Sequence, residues 1–182
     1  MTTAAPLTLR EARPADAPVL AQLIADSSRG LARDDYTTVQ IEAAIGTAWG
    51  VDSELIRDGT YYAVEAAGRI VGCGGWSRRQ TLFGGDAHPG RQSGLLDPAR
   101  DSARIRAFFV HPDFARRGIG RMLLARCEAE ARAHGFRAAE LLATLPGQRL
   151  YRAFGYVGDT RVEYPLPGGA TIAFVPMSKP LA

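Results

Sequence analysis

The sequence predicts an α/β protein organised as one domain over residues 1–182, and three observations carry the prediction. Of its 182 residues, 46% are hydrophobic and 23% charged, the balance of a globular chain with one sizeable core. Runs with the two-residue alternation of strands interchange with runs of helical periodicity along the chain. Gly118 and Gly120 follow a strand-like segment at the start of an amphipathic run. Glycine costs roughly 1 kcal/mol relative to alanine inside a helix, so two of them in a first turn mark a place where bare backbone is wanted.

The elements follow in order. "LTLREA" alternates as a strand, and Asp16 stands as the N-cap of a helix carrying Val19, Leu20, Leu23 and Ile24. In "DYTTVQIEAAIGTAW", Thr37 and Gln40 have capping-box spacing ahead of Ile41, Ala44, Ile45, Ala48 and Trp49, one face of a second helix. "TYYAVEAAGRIVGCGGW" reads as a hairpin turning at Ala67 and Gly68, its second strand loosened by Gly72, Gly74 and Gly75. Residues 77–103 are rich in Gly, Arg, Asp and Pro without periodicity, and a loop of that length in a domain is usually functional or mobile. "RIRAFFV" is a strand, and Ile119, Met122, Leu123, Cys127 and Ala131 share the face of a helix that Gly135 closes. "RAAELLATL" is a strand, "PGQRLYRAF" a short helix ended by Gly155, and "TRVEYPLPGGATIAFVPM" a hairpin turning at Pro167, Gly168 and Gly169.

Composition narrows the function classes. The net charge of +3 comes with arginines dispersed along the chain and no block of like charge, which suits small anions better than a nucleic-acid surface. Cys73 and Cys127 lack CxxC spacing, and His88, His111 and His134 are scattered. No disulfide framework and no metal site are expected. The N-terminus lacks a signal-peptide apolar core and no run has membrane-spanning length, so a cytoplasmic protein without membrane contact is expected.

The turn at Gly118 and Gly120 suits an anion. A strand passing through exposed amides into a helix N-terminus favours negative charge, and Arg116, Arg117 and Arg121 surround that point. It is neither a Walker A loop nor GxGxxG, because Leu123 holds the third glycine position. "FFVHPDFARRGIGRMLLARCEAEARAHGF" followed by "LYRAFGYV" resembles the GNAT superfamily of acetyl-coenzyme A dependent N-acetyltransferases, with Ala115 at the family's Gln/Arg position. The resemblance implies a mixed, strongly twisted sheet of about seven strands with about four flanking helices. It implies further that the strands either side of the Gly118 helix splay to admit pantetheine. Carried over by position, Phe108, Phe109 and Val110 line that arm, and Arg116, Arg117, Gly118, Ile119, Gly120 and Arg121 cradle the pyrophosphate of acetyl-coenzyme A. Thr144 stands where the family places an asparagine.

Acyl transfer from a thioester to an amine needs a neutral amine, a stabilised oxyanion and a proton for the thiolate. The resemblance assigns the proton to Tyr151, whose spacing to Phe154 also fits simple packing. No carboxylate stands in "RIRAFF", and Glu65, Glu140 and His111 read as strand-end or turn residues, so a water-relayed base ranks above any named residue. Tyr36, Trp76 and Arg106 are candidate acceptor contacts, and Arg78, Arg79, Arg104 and Arg106 suit an acceptor with an anionic group. The expected activity is direct acetylation of a small-molecule amine or a protein amino group, by a protein that is either monomeric or a homodimer. The alternative is a non-catalytic module that binds coenzyme A.

Overall fold

In the computed structural model of the protein, which describes residues 5–181, β1 (Leu7–Glu11) leads through a 3₁₀ turn at Pro14–Asp16 into α1 (Ala17–Leu31). Residues 1–4, where the reading of a leaderless N-terminus begins, and residue 182 lie outside the described residues. Asp16 does not cap α1 as expected. Its carboxylate accepts the Arg13 amide at 2.7 Å and pairs with Arg10, so the charge is used to fasten the turn to β1. Leu20, Leu23 and Ile24 are buried, whereas Val19 is half exposed.

The capping box at Thr37 and Gln40 forms, with the Thr37 hydroxyl accepting the Gln40 amide at 3.2 Å and the Gln40 side chain accepting the Thr37 amide at 2.9 Å. Helix α2 (Thr38–Ala44) is shorter than its periodicity predicts. Ile45 is extended and Gly46 turns at φ +83°, so Ala48 and Trp49 are buried from a turn and not from a helix face. A five-residue helix that the sequence reading missed, α3 (Ser53–Arg57), follows; Asp52 caps it by accepting the amides of Glu54 and Leu55.

Strands β2 (Tyr61–Ala66) and β3 (Arg69–Ser77) form the expected hairpin, with Ala67 at φ 49° and Gly68 at φ 75° in its turn. The glycines do not loosen β3, which runs unbroken and buried. They let neighbours approach: a Cβ on Gly74 would lie 2.5 Å from a ring carbon of Phe108, and one on Gly75 would lie 2.6 Å from the Thr60 carbonyl oxygen. Residues between β3 and β4 (Ala103–Val110) hold no regular element beyond a single bridge of Arg79 with Leu95. Then come α4 (Ile119–Ala133), β5 (Ala138–Ala143), α5 (Gln148–Ala153), β6 (Val162–Pro165) and β7 (Thr171–Pro180).

The seven strands make one mixed sheet in the order β1-β2-β3-β4-β5-β7-β6, antiparallel except for β4 beside β5. Five α-helices flank it. Tyr62, Val64 and Ala66 of β2 join Ile119, Leu123, Leu124 and Cys127 in one core, while Tyr61 and Ala63 join Leu20, Ile24, Trp49 and Leu55 in another. A strand with apolar neighbours on both faces shows no polar alternation, which is why "YYAV" reads as a solid apolar run.

Candidate active site

The site begins with a break in the sheet. Parallel pairing of β4 with β5 extends over Ala103 with Ala139 and Arg104 with Glu140, and no further. A bulge in β4 marks where the strands part: Cys73 faces Phe109 and Gly75 faces Arg106, so Ala107 and Phe108 share one opposing residue. Ala107 sits at φ 57°, a left-handed conformation that costs an alanine about 1 kcal/mol. Its carbonyl is pinned by the Tyr61 hydroxyl at 3.3 Å and approached by the Cys73 thiol. On the far side, Leu145 donates its amide to the Tyr36 hydroxyl at 2.9 Å, and that hydroxyl donates to the Ala173 carbonyl at 2.7 Å. The chain after β5 is thereby tied toward β7 and away from β4. The edge of β4 beyond Arg104 has lost its strand partner, leaving main-chain groups for something else to satisfy.

At the mouth of the split, a turn at Pro112–Phe114 brings the chain to α4 with Arg116 at φ 65° and Gly118 at φ 84°. Both residues adopt a left-handed backbone, which suits Gly118 and strains Arg116. No side chain caps α4, so its first amides point out unpaired. The two glycines prove to differ. A Cβ on Gly118 would meet nothing within 4 Å, whereas one on Gly120 would lie 2.9 Å from Leu150 Cδ2, so Gly120 also serves helix packing. The Arg121 guanidinium rests 5.5 Å from the Phe154 ring centre and that of Arg117 4.8 Å from Phe114.

Between α1, the β4 edge, the α4 N-terminus and α5 lies a cleft of about 1000 Å³. Of the residues singled out in the sequence, Phe108, Phe109, Val110, Arg116, Gly118, Ile119, Gly120, Arg121, Thr144 and Tyr151 line it. Arg117 does not, because it is turned onto Phe114. The sequence reading missed Ser27, Arg149 and Trp49 in the lining. Trp49 was hidden by its helical spacing, and Ser27 by its place inside a helix; the Ser27 hydroxyl accepts the Val110 amide at 3.2 Å. That amide is one of the groups expected to serve the pantetheine, and a ligand there must take it from Ser27.

Beyond the cleft a second cavity of about 60 Å³ lies against Leu82, Phe83, Gly84 and Arg106. Trp49, Phe108, Phe109, Thr144 and Tyr151 belong to both spaces. Tyr151 thus stands at their junction, buried, its ring 6.1 Å from Phe108 and 5.9 Å from Tyr156. Burial, with a smaller effect of Cys127, holds its phenol well above the ordinary value, so the proton stays on at neutral pH. Burial, then Arg91 and Arg106, lowers His88, whose ring lies 4.4 Å from that of Phe83 and tilted 48° to it.

Two of the three expected acceptor contacts are elsewhere. Trp76 is fully buried against His134 and Phe136 in the α4 core, because its position on β3 points it to that face. Tyr36 lines neither space, its hydroxyl being committed to the Leu145 and Ala173 backbone. Arg106 alone of the three reaches the inner cavity. Glu65 pairs with Arg10, Glu140 with Arg104, and His111 with Arg69 at the surface, so none of them faces the cleft. Among the described residues no group of three His, Cys, Asp or Glu could hold a metal, and no helix is long and apolar enough to cross a membrane.

A family model described as the acetyltransferase (GNAT) family matches residues 25–156, the span from α1 to the end of α5 and its Gly155 turn. The chain belongs to the GNAT acetyltransferase family. It is therefore an acyltransferase, and acetyl-coenzyme A is the co-substrate of that family. No curated sequence matches the chain. Solved structures share its fold: a GCN5-related N-acetyltransferase from Rhodopseudomonas palustris is 24% identical with a TM-score of 0.71, covering 99% of both chains. PaiA N-acetyltransferase from Thermoplasma acidophilum, in complex with coenzyme A, is 13% identical with a TM-score of 0.65 over 96% of this chain and 99% of its own. The ribosomal-protein-S18-alanine N-acetyltransferase from Escherichia coli is 15% identical with a TM-score of 0.58, over 97% and 95%. The site of this GNAT protein fits the co-substrate on its own evidence: a long cleft, uncapped amides and cations at one end, an unpaired strand edge along it, and a protonated phenol at the other.

Proposed function

We propose that this acetyltransferase moves the acetyl group of acetyl-coenzyme A directly onto a primary amine of a small molecule or a protein, with the thioester at Tyr151 and the amine in the inner cavity. The observation that carries the reading is the junction: Tyr151 lines both the cleft and the cavity, and its burial keeps a proton available. Acetyl-coenzyme A supplies the activated acyl group. Arg116, Arg121 and the first α4 amides would hold the pyrophosphate, Phe108 to Val110 and Thr144 would flank the pantetheine, and Tyr151 would give its phenol proton to the departing sulfur as the C–N bond forms and the C–S bond breaks. Six aromatic residues and no acid line the inner cavity, a setting that favours an amine in its neutral form. Its proton leaves by a water relay. The coenzyme A complex of the PaiA enzyme and the S18-alanine acceptor of the Escherichia coli enzyme give precedents among the fold's members.

The lack of an acid in that cavity also favours the second reading, a module that binds coenzyme A without catalysis. Release of free thiol from acetyl-coenzyme A, measured with a panel of amines, separates the two. Amine-dependent release supports transfer; binding of coenzyme A with no release for any amine supports the module. The same reading takes residues 1–182 as a single domain in the cytoplasm, and light scattering after size-exclusion chromatography tests for a homodimer.

A further inference from the structure

We propose that the acceptor carries a carboxylate beside its primary amine and that Arg106 is the residue that reads it. The proposal rests on the transfer reading above and narrows its substrate class. The Arg106 side chain is 1% exposed. Its Nη2 donates to Asp52 Oδ2 at 2.6 Å and to the Gly84 carbonyl at 2.7 Å. Nε and Nη1 are shielded and have no partner among the described residues. A guanidinium has five N–H bonds, so three of them go without an acceptor, and buried donors are ordinarily paired.

Of the neighbouring carboxylates, Asp52 is committed elsewhere, and Glu54 Oε1, which accepts no hydrogen bond, lies 3.6 Å from Arg91 and 4.0 Å from Arg79. Asp52 takes Arg91 at 2.9 Å and the amides of Glu54 and Leu55, and Arg91 takes the Gly84 and Gly85 carbonyls. Arg79 is spent on Asp58 and Arg104 on Glu140, which leaves Arg106 as the member of the arginine group that meets the cavity. The open space adjoining residue 106 is about 60 Å³. That is room for roughly four waters, the size of a small charged head group. A carboxylate in the cavity that displaces the side chains now shielding Nε and Nη1 would supply the missing acceptors, and arginine suits it in charge and shape. The amine end of such a molecule then faces Tyr151 at the junction. If Arg106 instead only braces the 77–103 loop through Gly84, with waters on its free donors, the acceptor carboxylate is irrelevant.

Two matched sets separate these cases: alanine, alaninamide and ethylamine, and phenylalanine, phenylalaninamide and 2-phenylethylamine, each assayed with acetyl-coenzyme A. The acid of a set should exceed the decarboxylated amine in kcat/KM by about tenfold or more, with the amide below the acid. In Arg106→Lys, which keeps a cation for Asp52, the preference should shrink to a few-fold through a higher KM for the acid while coenzyme A affinity holds. Where that variant does not fold, the paired change Arg106→Gln with Asp52→Asn removes both charges together. Equal use of the amide and the acid, or better use of the amine without carboxylate, overturns the proposal. Turnover of no amine refutes the transfer reading instead, and calorimetry then decides the Arg106 assignment. Selective binding of N-acetylalanine over N-ethylacetamide, in the presence of coenzyme A and lost in Arg106→Lys, supports it; equal binding refutes it.

Discussion

Replacing Tyr151 with phenylalanine isolates the proton from the packing. No described residue hydrogen-bonds the Tyr151 hydroxyl, so the change leaves no protein group without its partner, and the ring contacts with Phe108 and Tyr156 remain. We expect a stability change within about 0.5 kcal/mol, because nothing but a weakly solvated hydroxyl is lost. For a chain of this size that is about 1–2 °C in Tm. A general acid contributes about 100-fold to 10,000-fold, and because a thiolate is a good leaving group the fall in kcat should lie near 100-fold. Stopped-flow or endpoint thiol release gives kcat, calorimetry gives the affinity for coenzyme A, and a thermal melt gives Tm. The phenol keeps its proton above its ordinary value of 10.0, so the parent enzyme should show no loss of rate from this group between neutral pH and that point. Turnover of the variant within a few-fold of the parent, with Tm and affinity unchanged, would refute the acid role and leave Tyr151 as a wall of the junction.

Other perturbations probe the frame. Gly120→Glu should abolish coenzyme A binding in calorimetry with the circular dichroism spectrum retained, since the half-buried Leu150 side chain can turn aside but the added carboxylate stands in the cleft. Gly118→Ala has space for its methyl but must hold φ +84°, so it should cost about 1–2 kcal/mol, read as a lower urea midpoint. Tyr36→Phe strips the Leu145 amide and the Ala173 carbonyl of their shared partner, a loss of about 1–3 kcal/mol with a raised KM for acetyl-coenzyme A as the wall after β5 slackens. Burial raises Cys73 from 9.0 to about 12 and Cys127 in the same direction. The folded thiols therefore stay neutral while unfolded ones ionise, and the stability they contribute is intact below about pH 9 and is lost as pH rises toward 12. Urea unfolding at stepped alkaline pH should show this decline, with a shallower slope in a Cys73→Ala, Cys127→Ala double variant.

What was legible in the sequence was local. The Thr37–Gln40 box, the Ala67–Gly68 turn, the α4 face and the glycine turn depend on residues a few positions apart, and backbone sterics and capping bonds act over that range. The run from Phe108 to Arg121 that borders the cleft was legible for the same reason, since its residues are contiguous. Tertiary structure decided the rest because it joins residues remote in sequence. Periodicity put Trp49 on a helix, but Gly46 ended that helix and sent the indole into the cleft. Trp76 was a plausible acceptor contact until its strand position turned it into the α4 core. Gly120 has a reason in Leu150, thirty positions on, that no local rule shows. The sharpest case is Arg106: the sequence offers it as one of several arginines suited to an anionic acceptor, whereas its burial, its tie to Asp52 and its three idle donors exist because α3, β4 and the 77–103 loop meet around it. Sequence by itself determined most of the elements, though not the short α3 or the end of α2, and the glycine turn before α4, whereas the inner cavity depends on which side chains are desolvated together, and desolvation is a property of the packed chain.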